Sequence, residues 1–197
     1  MDKILQFDWA VFQFVEQYIW ADWLTPIMVF FTHLGEGGMI WILISVMFLL
    51  TKKYRKAGVT MLCALLVMQI GNNEILKELI ARTRPFNLKE WQEIFVFPEM
   101  IARPSSWSFP SGHTSSGFAA VTALAITTKK ARFAVPGYIL AAIIAFTRIY
   151  VHVHYCTDIL GGIAVGLIYG VLGYLLGSAV YHAIVKKWAK RTVKKKA

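Results

Sequence analysis

The chain has 197 residues, 57% of them hydrophobic and 14% aromatic, with a mean hydropathy of +0.53 and a formal net charge of +10. An ordinary soluble domain is about 45–50% apolar even with Gly counted, so an excess that falls in long blocks points to a membrane protein. The basic residues cluster between and after those blocks with no base-reading module beside them, which argues against nucleic acid as a partner and for a polytopic membrane chain.

Residues 4–20 come first and are amphipathic. Gln6, Gln13, Glu16 and Gln17 share one helical face, and Leu5, Phe12, Val15 and Ile19 lie largely on another. Asp8 fits neither and is placed as an N-cap. The pattern predicts a helix lying in the membrane interface, a lid or ramp for lipid, with a sixth and weakly hydrophobic crossing as the alternative. No removable signal peptide is expected at Met1-Asp2-Lys3, where a basic region, an apolar run and a cleavage site are all missing.

Five segments are then predicted to cross the bilayer: 23–50, 57–77, 112–128, 133–151 and 158–185. The first is interrupted by Gly35-Glu36-Gly37-Gly38. The third is short, so its start is expected below the outer surface in a protein-lined cavity. The fold class is therefore an all-α polytopic membrane helix bundle of five spans, six if residues 4–20 also cross. It forms a single domain over 1–197: an interfacial helix at 1–22, the transmembrane bundle at 23–185 and a basic cytoplasmic tail at 186–197. Gly162, Gly166, Gly170, Gly173 and Gly177 form small-residue stripes for packing inside the bundle. Trp9, Trp20, Trp23, Trp91 and Trp107 are expected in the outer interfacial belt. Cys63 and Cys156 fall at different depths and are not expected to pair.

Charge sets the topology. Lys52, Lys53, Arg55 and Lys56 form one cluster, Lys129, Lys130 and Arg132 a second, and the tail a third, with no acid among them. All three belong on the cytoplasmic side, and the tail can touch anionic headgroups there. The loops at 78–111 and 152–157 then share the outer face, as does the N-terminus.

Three polar clusters gather at that outer end. Lys77 and Arg84-Pro85 are seven residues apart, nearly two helical turns, so the two cations share a face about 10 Å apart along the axis and can clamp an anion. Arg82 points elsewhere on such a helix. Asn72, Asn73 and Glu74 lie one turn earlier as hydrogen-bonding support, and the plain alternative for the cations is snorkelling to headgroups. Next, Pro110-Ser111-Gly112-His113 opens an apolar helix, whose first amides favour an anion. A capping serine and a surface imidazole are the plain alternative. Third, Arg148 precedes His154 and Asp158, which are four apart, so the carboxylate can reach the imidazole within a helix, fix its tautomer and free the other nitrogen for attack. A metal site at His152 and His154 is disfavoured because no further ligands complete a shell. Cations, a hydroxyl, two imidazoles and a carboxylate suit phosphoryl transfer.

Together the clusters resemble the signature of the type-2 phosphatidic acid phosphatase family of integral-membrane lipid phosphatases: Lys, six residues, Arg-Pro; Pro-Ser-Gly-His; then Arg, five residues, His, three residues, Asp. Each spacing matches, over Lys77 to Asp158. Thr147-Arg148 stands where the family often has Ser-Arg, and many bacterial members have six spans. The resemblance implies His154 as nucleophile forming a phosphohistidine, Asp158 orienting it and His113 as acid and base. Lys77, Arg84, Ser111, Gly112 and Arg148 would bind the phosphate, with no metal or cofactor. It implies hydrolysis of a lipid phosphomonoester or diphosphate in a multi-pass cell-membrane protein, with polyprenyl (undecaprenyl) diphosphate the preferred substrate. Phosphatidylglycerol phosphate, phosphatidic acid and phosphotransfer to another alcohol remain alternatives, as does a non-enzymatic lipid-binding or transport role. The expected partners are the lipid substrate and the bilayer, and the oligomeric state is open.

Overall fold

The computed structural model describes residues 3–194, with side chains up to Lys187. Asp2 and the last three residues of the basic tail lie outside the described residues. Every regular element described is helical: α1 (Lys3–Tyr18), α2 (Thr25–Leu34), α3 (Met39–Leu50), α4 (Arg55–Met68), α5 (Lys77–Ile80), α6 (Lys89–Gln92), α7 (Gly112–Thr128), α8 (Ala131–Tyr150) and α9 (Cys156–Lys194). Short 3-10 turns at Glu36–Gly38 and Lys52–Tyr54 join α2 to α3 and α3 to α4, and a π-helical stretch, Gln69–Leu76, carries α4 into α5.

Three helical stretches are long and apolar enough to cross a membrane: Lys52–Gln92, Ala131–Tyr150 and Cys156–Lys187. A fourth is added if α2 and α3, bent by 46° at their junction, count as one. The bend is the glycine interruption visible in the sequence, and Gly37 and Gly38 adopt φ of 56° and 71°, values that Gly reaches without steric cost. The last helix extends past the expected end at residue 185, through the start of the basic tail.

At the centre lies α7, only 17 residues long and rich in Ala, Ser, Thr and Gly. It buries Ala119, Ala120, Val121 and Ala123 completely and packs between α4, α8 and α9. The α9 glycines make this possible, dividing their contacts between two neighbours. A Cβ built on Gly166 or Gly170 would meet α7 at 2.9 Å or less, whereas one on Gly173 would come within 2.2 Å of the Ala64 Cα in α4. The two internal basic clusters meet at the far end of the bundle, where Arg132 donates to the Tyr54 hydroxyl at 3.0 Å and Lys130 lies 5.7 Å from its ring.

Along α1 three faces are visible. Phe12, Val15 and Asp8 are buried, Ile4, Phe7, Phe14 and Tyr18 are exposed, and Gln13 and Gln17 form an exposed polar strip. Phe12 anchors the helix in an aromatic cluster, with ring centroids 5.2 Å from Trp9, 5.3 Å from Trp91 and 4.9 Å from Phe95. Burying one such ring is worth about 1.5–3 kcal/mol. Two expectations are corrected here. Asp8 is no N-cap but a mid-helix residue turned inward. Trp91 is packed into the protein core, 1% exposed, and does not present its ring outward as a belt residue would, because the segment after α5 folds over α1.

Candidate active site

The three sequence clusters converge on one cavity of about 240 Å³ at the end of the bundle away from Tyr54. Lys77, Arg84, Gly112, His113, Arg148 and His154 all line it, together with the Thr32–Gly38 elbow and Ser106.

The first pair arrives there by a route other than the one expected. The helix carrying Lys77 ends at Ile80, and Ala81 turns left-handed with φ of 47°, so Arg84 stands on extended chain ahead of Pro85. No single helical stripe carries the two cations. They converge on Ser106, whose Oγ lies 3.3 Å from Lys77 Nζ and 3.2 Å from Arg84 Nη2. Arg84 is then fixed by main-chain oxygens: Nε donates to Ser106 at 2.6 Å, Nη1 to Val153 at 2.8 Å and Nη2 to Trp107 at 3.2 Å. Such a spread of acceptors suits the planar fork of Arg and not the point charge of Lys. Asn72 supports Lys77 at one remove, tying the π-helical stretch to the start of α7 by donating to Pro110 O at 3.4 Å and accepting from Ser115 Oγ at 2.9 Å.

At the start of α7, Gly112 faces the cavity. A Cβ there would lie 3.8 Å from Lys77 Nζ, so the bare backbone leaves room for an anion between helix start and ammonium. Ser111 is not brought to the wall. It is fully buried, its N–H donates to the Asp158 carbonyl at 3.2 Å, and its Oγ accepts from Thr114 at 3.1 Å. Spacing alone could not show that this turn would be consumed in docking α7 onto α9. His113 approaches the elbow closely because Gly35 has no side chain: a Cβ on Gly35 would sit 2.7 Å from the His113 ring. Its Nε2, like Nε of Arg148, is buried without a hydrogen-bond partner among the described residues. Arg148 Nη1 donates to Thr32 Oγ1.

His154 lies in the turn before α9, not within a helix. Asp158 occupies the first turn of α9, and its Oδ2 reaches back both to the Tyr155 N–H at 3.0 Å, half of a capping box, and to His154 Nδ1 at 3.2 Å. Ser108 also donates to Oδ2. Arg84 Nη1 lies 3.3 Å from His154 Nε2. These partners make Nδ1 the protonated nitrogen and leave Nε2 with its lone pair toward the cavity. Burial, with Arg84 and Arg148 nearby, pulls the His154 pKa down to about 3 against the opposing pull of Asp158, so the ring is neutral at physiological pH.

Sequence reasoning passed over Arg82. Its Nη1 donates to Asp158 Oδ1 at 2.6 Å and its Nη2 to Asp8 Oδ2 at 2.6 Å. A basic residue two positions before Arg84 was the available signal, but its partners lie 76 and 74 residues away. Ser106 and Ser108, in an irregular loop, carried no signal at all. Among the described residues no three His, Cys, Asp or Glu side chains converge as a metal site, and both cysteines are free.

The sequence profile of the PAP2 superfamily matches residues 53–182, a stretch that contains Lys77, Arg84, His113, Arg148 and His154 of the cavity lining. Among characterised relatives, the undecaprenyl-diphosphatase of Sulfolobus acidocaldarius is 31% identical over 145 residues, covering 73% of this chain and 66% of that protein. The phosphatidylglycerophosphatase B of Bacillus subtilis is 30% identical over 158 residues, covering 74% of this chain and 71% of its own. The chain thus spans about two thirds of the length of these relatives. A crystal structure of a transmembrane PAP2-type phosphatidylglycerolphosphate phosphatase from Bacillus subtilis superposes with a TM-score of 0.71 at 23% identity, over 91% of this chain and 89% of that one. Fold, motif order and profile therefore agree, and the chain belongs to the PAP2 superfamily.

Proposed function

We propose that this chain is a lipid phosphatase that works through a phosphohistidine and needs no metal ion. The observation that carries the reading is one cavity ringed by Lys77, Arg84 and Arg148 with the imidazoles of His113 and His154 in its wall, beside His33 on the elbow. His154 Nε2 attacks phosphorus as the bond to the leaving oxygen breaks, and His113 gives that oxygen its proton. His113 then takes a proton from water, which attacks the phosphohistidine and releases phosphate. The three cations and the Gly112 amide hold the equatorial oxygens, where charge stabilisation contributes most. Asp158 holds Nδ1–H and balances the charge that grows on His154.

The preferred substrate is a polyprenyl diphosphate such as undecaprenyl diphosphate, in line with the archaeal relative's activity. A phosphatidylglycerophosphate is the second reading, favoured by the Bacillus relative. The chain crosses the bilayer five times, with protein-wrapped α7 as the short crossing and α1 in the interface. Because the basic clusters lie at the end opposite the cavity, the site opens to the non-cytoplasmic side and the C-terminus is cytoplasmic.

The test is phosphate release by the purified chain in detergent with EDTA present, over a panel of prenyl diphosphates, phosphatidylglycerophosphate and phosphatidic acid. Turnover should persist in EDTA, be fastest on the prenyl diphosphate and be blocked by vanadate. No release from any lipid refutes the phosphatase reading, and activity lost to chelation but restored by magnesium refutes the mechanism.

A further inference from the structure

Beyond Asp158, on the side away from His154, lies a chain of charges that the reaction as described does not use. Asp8, in the middle of α1, has a fully buried side chain, and Asp158 is equally inaccessible. Arg82 joins them with one donor to each at 2.6 Å. Thr157 completes the knot: its N–H donates to Asp8 Oδ1 at 2.9 Å and its hydroxyl to Asp8 Oδ2 at 2.7 Å, while its Oγ1 accepts from Arg82 at 2.7 Å. The guanidinium lies 3.9 Å over the Tyr155 ring, which holds its plane.

The arrangement has a consequence for Asp158. One of its oxygens faces Arg82 and the other faces His154. An unshared guanidinium would draw negative charge away from the imidazole, but Asp8 neutralises Arg82 from the other side. The set Asp8, Arg82 and Asp158 then keeps one net negative charge directed at His154. Buried charge networks are sensitive in this way, since removing one member leaves another unpaired.

We propose that Asp8 is a positioning residue for the reaction, acting through Arg82 on Asp158 and His154, so that α1 is part of the catalytic assembly and more than a surface ramp. The proposal rests on the phosphatase reading given above. It differs from a purely structural clasp of α1, which would move stability alone, and from a lipid ramp, which would move KM alone.

The experiment uses the full chain in detergent with EDTA and a short-chain, water-soluble phosphatidic acid that needs no ramp. Asp8→Asn should lower kcat about 10- to 100-fold, the size expected for one charge-assisted hydrogen bond, with KM within about twofold. Asp8→Glu should recover part of that loss. The double variant Asp8→Asn with Arg82→Gln should be no slower than Arg82→Gln alone, because both act along one chain. If Asp8→Asn does not fold, Thr157→Val carries the comparison, with an expected kcat loss of about threefold or more. Normal kcat with only a lowered melting midpoint overturns the proposal, and so does a change confined to KM. Should the wild-type protein release no phosphate from this substrate or from any other lipid of the panel, the phosphatase reading falls separately. Vanadate binding by calorimetry then decides, weaker in Asp8→Asn supporting the proposal and unchanged overturning it.

Discussion

Asp158→Asn is the sharpest single perturbation of the proposed chemistry, because it keeps shape while removing one charge. The carboxylate lies 3.2 Å from Nδ1 of a ring that becomes cationic as the N–P bond forms. At that distance and an effective dielectric of about 20, opposite unit charges attract by about 5 kcal/mol. That is an upper figure for the transition-state loss, and corresponds to roughly 10³- to 10⁴-fold in kcat. The amide adds a second penalty: its NH₂ facing Nδ1 would favour the tautomer that places the proton on Nε2, where attack must begin. Initial rates of phosphate release at saturating lipid provide the assay, and Arg82 keeps Asp8 as a partner, so the fold should survive. A folded Asp158→Asn protein with kcat within about tenfold of wild type would refute the role of the carboxylate and the tautomer argument with it.

Other substitutions test neighbouring parts. His154→Ala should abolish turnover, and His113→Ala should lower kcat about 10²- to 10⁴-fold, the span of general acid–base assistance. Retention of a phosphorylated enzyme by His113→Ala after a denaturing quench at alkaline pH, where the N–P bond survives, would place its loss in the water step. Burial pulls His152 down to about 4, against an unfolded value of about 6.5. The unfolded chain therefore binds more protons between those values, and stability present above pH 6.5 is lost as pH falls toward 4, by at most about 3 kcal/mol from burial of this ring. The Glu16 carboxylate, 2.9 Å from Nε2, opposes that loss. Melting midpoints in detergent across that window should decline, and His152→Asn, which tolerates the residue's positive φ, should flatten the decline. Gly173→Ala should destabilise by about 1–3 kcal/mol, since its Cβ would fall 2.2 Å from a backbone atom of α4. An unchanged melting midpoint in that variant would count against the tight α4–α9 contact.

The all-helical, apolar character of the chain and the convergence of three motifs were legible because both depend on local pattern: apolar runs, basic clusters between them, and fixed spacings of Lys77, Arg84, His113, Arg148, His154 and Asp158. Those residues meet because hairpin connections bring alternate helix ends together. What could not be read depends on pairings across long stretches of chain. Asp8 and Thr157 are 149 residues apart, and nothing in either local sequence announces the contact. A helical projection also misplaced Arg82 and Arg84, since it ran the helix straight through Ala81. The break there turns both guanidiniums to new partners. For Trp91, a belt assignment followed from residue type alone, whereas the loop that carries it is drawn inward by Phe12 and Tyr155.

The small-residue make-up of α7 bears on how the molecule is assembled in a living cell. A segment of 17 residues with few bulky apolar side chains partitions weakly into lipid by itself. Its shelter is supplied by α4, synthesised earlier, and by the glycine-ridged α9, synthesised later. Stable insertion of α7 should therefore wait until the ribosome has delivered residues beyond Gly177, and nascent chains halted before that point should leave the segment accessible to a water-soluble thiol reagent at an engineered cysteine. Protection of that cysteine in chains ending ahead of α9 would show that α7 enters the bilayer unaided.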